Sequence, residues 1–451
     1  YMRGQSRDYD QWAQLTGEDE WRWEHCVPDF KQHEDHYKLD SASRSPDKRQ
    51  RPISSNFADL HGHGDRNDAI AAWHGHGGEW RVEKQRLRWD VLDAFSAAAQ
   101  EAGIPATDDF NRGSNEGVGY FEVNQKAGWR WNTAKAFLRP TCYGRPNFEL
   151  WTSAQVARLV VERDDSGLRC SGAQVWTGDE MTTAQLAPGG ELILAAGSIG
   201  SPQILQLSGI GPAGLLQQHG IQVAADLPGV GANLQDHLQI RSVYKINGGK
   251  TLNQLASTLW GKGLIGLEYA WRRSGPMSMA PSQLGAFTRS SPAFEWPNIE
   301  YHVQPLSLDA FGEPLHAFPA ITASVCNLNP TSRGTVHIKS ARFEDAPAIA
   351  PNYLATDEDR QVAVDSLRVT RRIMAQPAMA RFRPEEFKPG VQYQSDDELA
   401  RLAGDIASTI FHPVGTTAMG RDGDRLAVLT PRLQVRDGAG GTIAGLRVVA
   451  A

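Results

Sequence analysis

An apolar run, a glycine turn and the start of a helix follow one another near the middle of the chain, and few folds accommodate that order. Residues 191–196 read Glu-Leu-Ile-Leu-Ala-Ala, and Gly197 comes directly after them. A short apolar run bounded by glycine is typical of a buried strand. Ser201 and Pro202 follow, and these residue types are favoured at the cap and the first position of a helix. We therefore predict a strand that ends at Gly197, a helix that runs from Ser201 to Leu207, and an α/β sheet around them.

Other segments predict further strands and helices. Apolar or alternating runs predict strands at 147–150 and 156–162, with a turn at 164–167. A polar stretch rich in Gly and Ser at 38–79 predicts a long surface loop. Three more strand-like runs are joined by short links, which predicts one antiparallel sheet. These runs lie at 299–303, 320–325 and 335–339, and helical spacing predicts helices at 88–101, 356–375 and 395–408.

The composition excludes several classes of protein. The 451 residues are 40% hydrophobic and 22% charged, and the formal net charge of −6 gives no basic footprint for nucleic acid. No run approaches the roughly 18 consecutive apolar residues of a membrane span. The 4 cysteines lie far apart and form no C-x-x-C pair, as is usual in a reducing compartment. We predict a cytoplasmic protein, or one peripheral to a membrane, that acts on a small molecule.

Histidine-rich stretches are the obvious candidates for a metal site. His61, His63, His74 and His76 form two H-x-H pairs, but they lie in the Gly-rich polar stretch without a nearby cysteine. We interpret this stretch as a flexible surface loop. The run His-Glu-Asp-His at 33–36 lacks the i, i+4 histidine spacing of a zinc protease, and we interpret it as a solvated helix face. No metal site is predicted.

Two further motifs are weak or missing. Residues 209–214 fit the pattern G-x-G-x-x-G, but they follow a predicted helix rather than a strand. Pro212 also removes a backbone amide that a phosphate group would need. The G-x-S-x-G elbow of the α/β-hydrolases does not occur in the sequence. The residues therefore predict neither a nucleotide loop at 209–214 nor a hydrolase.

Longer matches indicate a family. Residues 197–211 read Gly-Ser-Ile-Gly-Ser-Pro-Gln-Ile-Leu-Gln-Leu-Ser-Gly-Ile-Gly and resemble the second signature of the glucose-methanol-choline (GMC) oxidoreductases over its full length. Residues 1–10, Tyr-Met-Arg-Gly-Gln-Ser-Arg-Asp-Tyr-Asp, resemble the end of the first signature. The resemblance continues in family order along essentially the whole chain. Its further segments are 128–133, 229–237, 274–276, 332–334, 351–354 and 411–420.

The resemblance implies a fold of two interleaved parts. It predicts an incomplete α/β FAD-binding domain, Rossmann-like, interleaved with an α+β substrate domain built on an antiparallel sheet. The predicted FAD-binding parts are residues 1–37, 120–240 and 407–451. The predicted substrate parts are residues 38–119 and 241–406. The glycine-rich front of the first signature would precede Tyr1, so the resemblance also implies that the chain is a fragment which holds FAD poorly.

The resemblance also implies where the cofactor lies. In such proteins the strand of Val156 lies beside the adenine, and the turn formed by Ala195, Ala196 and Gly197 approaches the flavin nucleotide. A turn of small residues suits this role, because only small side chains let the backbone come close to a ligand. We predict that these four residues contact FAD.

The resemblance places the catalytic histidine of the family at His412. Oxidation of an alcohol by a flavin requires a base that takes the hydroxyl proton while hydride leaves the carbon. A neutral imidazole is suited to this role, because its ordinary pKa is near 6.5. Pro413 fixes the following backbone and disfavours helix at His412. The second catalytic residue of the family, His or Asn, would lie beyond Ala451.

The predicted reaction is oxidation of a primary alcohol to an aldehyde, as in choline dehydrogenases. Electrons would pass on to a quinone, a dye or O2, and the residues do not decide between these acceptors. Three alternatives stay open. They are an oxidase that uses O2, a hydroxynitrile lyase of the same family without net redox chemistry, and an inactive fragment.

Overall fold

A computed structural model describes residues 1–40, 68–279, 282–310 and 312–449. The helices are α1 Ser6–Thr16, α2 Trp23–His33, α3 Asp90–Glu101, α4 Arg139–Thr141, α5 Gly197–Leu207, α6 Ala213–Gln218, α7 Leu252–Leu255, α8 Leu259–Arg272, α9 Asp357–Met374 and α10 Asp396–Ile406. Short 3₁₀ turns lie at Asp19–Trp21, Tyr37–Leu39, Pro276–Ser278 and Pro377–Phe382, and a π-helical turn lies at Ala134–Leu138.

The strands form two larger sheets and several two- or three-stranded ribbons. They are β1 Glu34–His36, β2 Trp80–Lys84, β3 Gly117–Tyr120, β4 Glu122–Val123, β5 Gln125–Lys126, β6 Trp129–Arg130, β7 Gln155–Asp164, β8 Gly167–Trp176, β9 Met181–Gln185, β10 Leu192–Leu194, β11 Ile210–Gly211 and β12 Ala225–Asp226. The strands after residue 237 are β13 Leu238–Lys245, β14 Leu284–Thr288, β15 Ile299–Gln304, β16 Ala320–Asn327, β17 Thr335–His337, β18 Ala348–Ala350, β19 Glu385–Lys388, β20 Ala407–Thr409, β21 Gln434–Arg436 and β22 Thr442–Val448.

The larger sheet is antiparallel and has seven strands. Its order is β19-β13-β16-β15-β14-β3, and β20 also pairs with β13. Two of the three predicted runs, now β15 and β16, are neighbours in this sheet, as predicted. The third run is not part of it, because β17 pairs only with β18 in a separate ribbon. Leu238 lies opposite Thr409, so the residues just before β13 and just after β20 meet at one edge.

Helices α3, α9 and α10 cover this sheet and form its core. Residues Val91, Leu92, Phe95 and Ala98 of α3 recur at helical spacing and are fully buried. In α9, Thr356 accepts the amide of Asp359, three acids occupy the first turn and two arginines the last, so both helix ends are complemented. The helices predicted at 88–101, 356–375 and 395–408 are thus confirmed, with small shifts at their ends.

The second sheet has six strands and is partly parallel. Strands β7 and β8 form the predicted hairpin, which closes where Asp164 lies opposite Gly167. Strand β22 is central, because it pairs in parallel with β10 and with β8, and in antiparallel fashion with β21 on the side opposite β10. The predicted domain boundaries remain predictions, and β13 crosses the one drawn at 240.

Two local predictions from the sequence are wrong. Residues 147–150 form no strand. The helix predicted from Ser201 begins instead at Gly197, which adopts a φ of 73°, so Pro202 lies inside the first two turns. Pro202 is the sixth residue of this helix, beyond the first turn in which a missing amide costs nothing, and the carbonyl of Ser198 that it leaves without an amide accepts the hydroxyl of Thr416 instead. The turn at Ala195 and Ala196 therefore leads directly into the helix.

The interpretation of 33–36 as a solvated helix face and of His74 as part of a flexible loop is also wrong. Helix α2 ends at His33, and Glu34 and His36 lie buried on strand β1. His74 is buried beside them, whereas His76 is exposed and His61 and His63 lie outside the described residues. This burial could not be predicted from local pattern, because the partners of these groups are distant in the chain.

A network of ion pairs accounts for the burial of His74. Its Nδ1 lies 3.1 Å from an oxygen of Glu34, and its Nε2 lies 2.8 Å from an oxygen of Asp109. Arg3 lies 3.0 Å from the same Glu34 carboxylate. Burial alone would lower the pKa of His74, but its hydrogen bonds to Asp109 and Glu34 outweigh burial and raise the pKa. The fold therefore favours the charged form of His74, which pairs with two buried carboxylates.

Donor atoms of Glu34, His36 and His74 lie within 4.8 Å of one another, a spacing that a metal ion could use. Each of these atoms already has a protein partner, however. Arg3 occupies the Glu34 carboxylate, and Nε2 of His36 lies 3.0 Å from Glu122. We interpret the cluster as an ion-pair network. Among the described residues, the structure contains no helix that is long and apolar enough to cross a membrane.

We predict that His74→Ala lowers the free energy of unfolding by about 3–5 kcal/mol, because it leaves Glu34 and Asp109 buried without a counter-charge. His76→Ala is the matched control. His76 is exposed and lies 3.2 Å from Asp35, so its removal is expected to cost less than about 1 kcal/mol. Urea denaturation of both variants at pH 6 measures the difference. Equal loss of stability in the two variants would contradict the network.

The pH dependence of this contribution follows from the directions of the shifts. The pKa of His74 is raised, so its contribution is complete below the unfolded value of about 6.5 and is lost as pH rises through the folded value. Burial alone would raise the pKa values of Glu34 and Asp109, but His74 together with Arg3 at Glu34 and Lys38 at Asp109 lowers both pKa values. The contribution of these carboxylates is therefore present above about pH 4.5 and is lost in acid. The stability gap between wild type and His74→Ala is therefore expected to be largest between about pH 4.5 and 6.5.

Candidate active site

His412 lies on a strained loop that follows strand β20. The preceding residue, Phe411, has a φ of 63°, a left-handed conformation that is costly for a residue other than glycine. The amide of Phe411 donates a hydrogen bond of 2.8 Å to the hydroxyl of Thr409, which supports this turn. Pro413 follows His412 and restricts the backbone on the other side. The loop therefore holds the imidazole on a fixed piece of backbone.

The carboxylate of Asp236 joins this loop to the start of β13. One of its oxygens accepts the amide of His412 at 3.0 Å. Its other oxygen accepts the hydroxyl of Thr409 at 2.6 Å and the hydroxyl of Tyr353. Asp236 is buried, with 7% of its surface exposed, so these hydrogen bonds are shielded from water. One buried carboxylate thus fixes the backbone of His412. The residue that carries it, Asp236, directly precedes His237 in the chain.

The loop is also paired along its length with the segment before β13. Gln235 and Val414 exchange backbone hydrogen bonds of 2.9 and 2.8 Å. On the far side, the hydroxyl of Ser198 donates to the carbonyl of Pro413, and the hydroxyl of Thr416 donates to the carbonyl of Ser198 at 2.7 Å. Three segments that carry the family resemblance therefore converge here, namely 197–211, 229–237 and 411–420.

His237 determines which nitrogen of His412 carries the proton. Nε2 of His237 lies 3.2 Å from the carbonyl of Leu328, which can only accept, so this nitrogen is the donor. Nδ1 of neutral His237 is then an acceptor, and it lies 3.2 Å from Nδ1 of His412. His412 therefore donates from Nδ1, and its lone pair is on Nε2. This hydrogen-bond chain prepares Nε2 to accept a proton.

The surroundings favour the neutral form of the His412 ring. His412 is partly exposed. Desolvation of its ring by the surrounding protein lowers the pKa of His412, and the neighbouring His237 lowers it further. Close by, buried Glu300 forms an ion pair of 3.0 Å with His302 on the same face of β15. Burial would raise the pKa of Glu300, but His302 outweighs it and lowers the pKa. A charged carboxylate thus lies near the two histidines.

Possible donor atoms of His237, Glu300 and Cys326 lie within 4.8 Å of one another. This cluster is therefore a second candidate for a metal site among the described residues. Burial raises the pKa of the Cys326 thiol well above its ordinary value, so the thiol stays protonated. Glu300 already pairs with His302, and both nitrogens of His237 are engaged. These donors do not suit a metal ion.

The four predicted cofactor residues lie around the six-stranded sheet. Val156 is half-buried on β7, and helix α5 packs against this strand. Ala195 and Ala196 are exposed at the carboxyl end of β10, and Gly197 opens α5. The N-terminus of α5 has no side-chain cap, so its amides are available to an anionic group. This arrangement fits a flavin nucleotide, although contact of these four residues with FAD stays a prediction.

Several residues of this site were not singled out from the sequence. Asp236 and His237 end the segment 229–237, which was recognised only as part of the family pattern. Tyr353 and Thr409 carry no motif that separates them from other polar residues. The adjacent Asp-His pair, directly before an apolar strand, was the available signal. Its role depends on β20 pairing with β13, which the sequence does not reveal.

Comparison with known proteins agrees with this geometry. Residues 1–239 and 330–451 match the family models of the GMC oxidoreductases. Alcohol dehydrogenase [acceptor] of Pseudomonas putida is 34% identical over 437 residues, which cover 97% of this chain and 72% of that protein. Oxygen-dependent choline dehydrogenase of Citrobacter koseri is 34% identical over 423 residues, or 94% of this chain and 70% of that protein.

Solved structures share the fold. Pyridoxine 4-oxidase from Mesorbium loti has a TM-score of 0.79 and 26% identity, and the match covers 100% of this chain and 76% of that one. Formate oxidase of Aspergillus oryzae RIB40 has a TM-score of 0.82 at 22% identity, covering 99% and 76%, and this likeness concerns the fold alone.

These findings define the class as FAD-dependent oxidoreductases that act on CH-OH groups. The chain belongs to the GMC oxidoreductase family. Its cofactor is FAD. The predicted family, cofactor and fold class, an α/β FAD-binding domain with a substrate domain built on an antiparallel sheet, are thereby confirmed.

We predict that nitrogen NMR of histidine-labelled protein finds the proton of His412 on Nδ1 and that of His237 on Nε2. Replacing His237 by Phe removes the acceptor, so His412 is expected to shift towards the Nε2-protonated form. The exposed His25 serves as an internal reference and should not change. A proton on Nε2 of His412 in the unmodified protein would refute the assigned hydrogen-bond chain.

Proposed function

We propose that the protein oxidises a primary alcohol to an aldehyde and that His412 is the general base. The observation that carries this proposal is the hydrogen-bond chain from the Leu328 carbonyl through His237 to His412. This chain leaves the lone pair of His412 on Nε2, away from the protein partner. A base must hold its lone pair at the substrate and its proton elsewhere.

Each group then has a defined task. Nε2 of His412 accepts the proton of the substrate hydroxyl while the carbon that bears this hydroxyl becomes the aldehyde carbon. FAD, when bound, would supply the acceptor for the hydride that this carbon loses. His237 accepts the Nδ1 proton throughout and so keeps the lone pair on Nε2. Asp236 holds the backbone of His412, so the base does not move as it becomes charged. Orientation of this kind contributes several kcal/mol to catalysis, on the order of 7–11 in favourable cases.

The relatives support an alcohol as substrate. The names alcohol dehydrogenase and choline dehydrogenase both describe oxidation of an alcohol, and both proteins are 34% identical to this chain. We propose a dehydrogenase with a quinone or a dye as the electron acceptor, because the Pseudomonas putida relative is named alcohol dehydrogenase [acceptor]. Oxidation by O2 is the second candidate, because the Citrobacter koseri relative is named an oxygen-dependent dehydrogenase and the fold is shared with pyridoxine 4-oxidase. Stoichiometric peroxide formation during turnover would favour the oxidase.

We predict that His412→Ala lowers the rate of flavin reduction by a primary alcohol by about 10²–10⁴-fold, the usual contribution of a general base. Flavin bleaching in anaerobic stopped flow measures this rate directly. His25→Ala, at an exposed position, is the matched control and should keep the wild-type rate. If His412→Ala retains its FAD and reduces it within a few-fold of wild type, His412 is not the base.

The value of kcat/KM should also increase with pH. Because the pKa of His412 is lowered, we expect kcat/KM to rise with pH through a value below about 6.5 and then to level off. Loss of activity on protonation follows, since the imidazolium has no lone pair for the substrate. A profile that falls with increasing pH across this range would contradict the assignment.

A further inference from the structure

The peptide unit between Leu328 and Asn329 controls the protonation of the candidate active site. Its carbonyl accepts a hydrogen bond of 3.2 Å from Nε2 of His237. This bond fixes the tautomer of His237, and through it the nitrogen of His412 that keeps a lone pair. A peptide plane in a loop can rotate, however, and a carbonyl turned away from His237 would select no tautomer. The orientation of this peptide unit is therefore part of the site.

The side chain of Asn327 holds the amide of the same peptide unit. Its Oδ1 accepts the amide of Asn329 at 3.1 Å, in the turn that Asn side chains commonly form with the backbone two residues on. In a planar trans peptide the N–H and the C=O point in opposite directions. A side chain that fixes the N–H therefore also directs the C=O, and here it directs the Leu328 carbonyl to His237.

Asp359 determines which end of the Asn327 amide faces the turn. Its Oδ1 accepts a hydrogen bond of 3.1 Å from Nδ2 of Asn327. An ionised carboxylate can only accept, so it selects the NH2 end and leaves the amide oxygen for Asn329. An Asn327 side chain turned the other way would place its NH2 group against a second donor. The orientation of Asn327 thus follows from its two partners.

Asp359 also binds the rest of the loop after β16. It lies in the first turn of α9 and is 4% exposed. Its oxygens accept the backbone amides of Thr331 at 2.9 Å and Ser332 at 2.8 Å. Burial would raise the pKa of Asp359, but the hydrogen bonds from Ser332 and Thr331 outweigh burial and lower the pKa. A charged, buried carboxylate at the end of a core helix is thus the fixed point to which Asn327 is attached.

The antiparallel sheet fixes the backbone only as far as Leu328. Asn327 is the last residue of β16, and the amide of Leu328 donates to the carbonyl of Asn298 at 2.8 Å. Among the described residues, the hydrogen bonds of the next peptide unit are those with the Asn327 side chain and with His237. The Asn327 side chain is therefore what extends the order of the sheet to the Leu328 carbonyl.

We propose that Asn327 is a positioning residue for the oxidation, which acts through the Leu328 carbonyl and His237 to keep the lone pair of His412 on Nε2. This inference rests on the proposed role of His412 as the base. Asn327 takes no part in the proton transfer itself, because it acts only on the peptide unit that follows it.

Loss of the Asn327 side chain has a defined consequence for both histidines. The Leu328 carbonyl becomes free to turn away, and Nε2 of His237 then lacks its acceptor. The tautomer of His237 with its proton on Nδ1 becomes competitive, and it donates to Nδ1 of His412. His412 must then carry its own proton on Nε2, the atom that should accept from the substrate. We expect the tautomer ratio to change about fivefold, the factor that one ordinary hydrogen bond contributes.

Nitrogen NMR of the histidine-labelled flavoprotein tests this with two variants that differ by one hydroxyl. Asn327→Ala removes the acceptor, so His412 should move about fivefold towards the Nε2-protonated form and His237 towards the Nδ1-protonated form. Asn327→Ser supplies a hydroxyl that can accept the Asn329 amide, so it should keep most of the wild-type ratio.

Asn124→Ala is the matched control. Asn124 is half-buried like Asn327, and its Nδ2 donates to the carbonyl of Arg81 at 3.3 Å, in another part of the fold. The tautomers of His237 and His412 should be the same in this variant as in wild type.

Flavin reduction by a primary alcohol gives a second readout. Asn327→Ala should lower kcat about two- to fivefold, because fewer molecules hold the lone pair of His412 on Nε2. KM should stay within about twofold of wild type, since Asn327 acts on the base and not on substrate binding. Asn327→Ser should recover most of the lost rate.

The outcomes separate this proposal from the proposed function. Unchanged tautomers in folded Asn327→Ala overturn it, whatever the rate, and so do equal shifts in the Ala and Ser variants. A tautomer shift without loss of rate supports control of the tautomers by Asn327 and rejects His412 as the base. If Asn327→Ala does not fold, Asp359→Asn tests the same link, because it lets the Asn327 amide turn over. Tautomers that stay unchanged in that variant also overturn the proposal.

Discussion

The buried carboxylate of Asp236 is the interaction on which the candidate active site depends. Its oxygens accept hydrogen bonds from the backbone amide of His412, the hydroxyl of Thr409 and the hydroxyl of Tyr353, which come from separate segments of the chain. A buried carboxylate is stable only when its oxygens are hydrogen-bonded, so these segments must assemble for the charge to be tolerated. The geometry of His412 is thus tied to the packing of the antiparallel sheet.

The sheet in turn determines which histidines meet. Strands β13 and β20 are paired so that Leu238 lies opposite Thr409, and His237 and His412 extend from this edge. The loop after β16 then provides the Leu328 carbonyl that directs the proton of His237. A backbone group thereby decides the protonation of His412 through an intervening ring, by the same logic that orients histidine in other catalytic sites. Fold and chemistry are linked through these hydrogen bonds.

The sequence predicted what depends on local pattern and missed what depends on distant partners. Helices α3 and α9 and the β7–β8 hairpin have regular spacing or a clear turn, and the structure contains them. His412 was identified through its motif, whereas Asp236 and His237 needed the pairing of β13 with β20. His74 looked like part of a polar loop, because its counter-charges at Glu34 and Asp109 lie far away in the chain. Buried ion pairs leave no periodic signature.

The position of β22 has a consequence for how the protein is made. This strand pairs in parallel with β10 over three residues, although it is synthesised long after β10. Until the ribosome has released residues 442–448, β10 has no partner among the described strands, because it pairs with β22 alone. Unpaired edges of this kind invite pairing with other chains. Completion of the six-stranded sheet is therefore a late event in biosynthesis. A chaperone would protect the unpaired strand edge before this event.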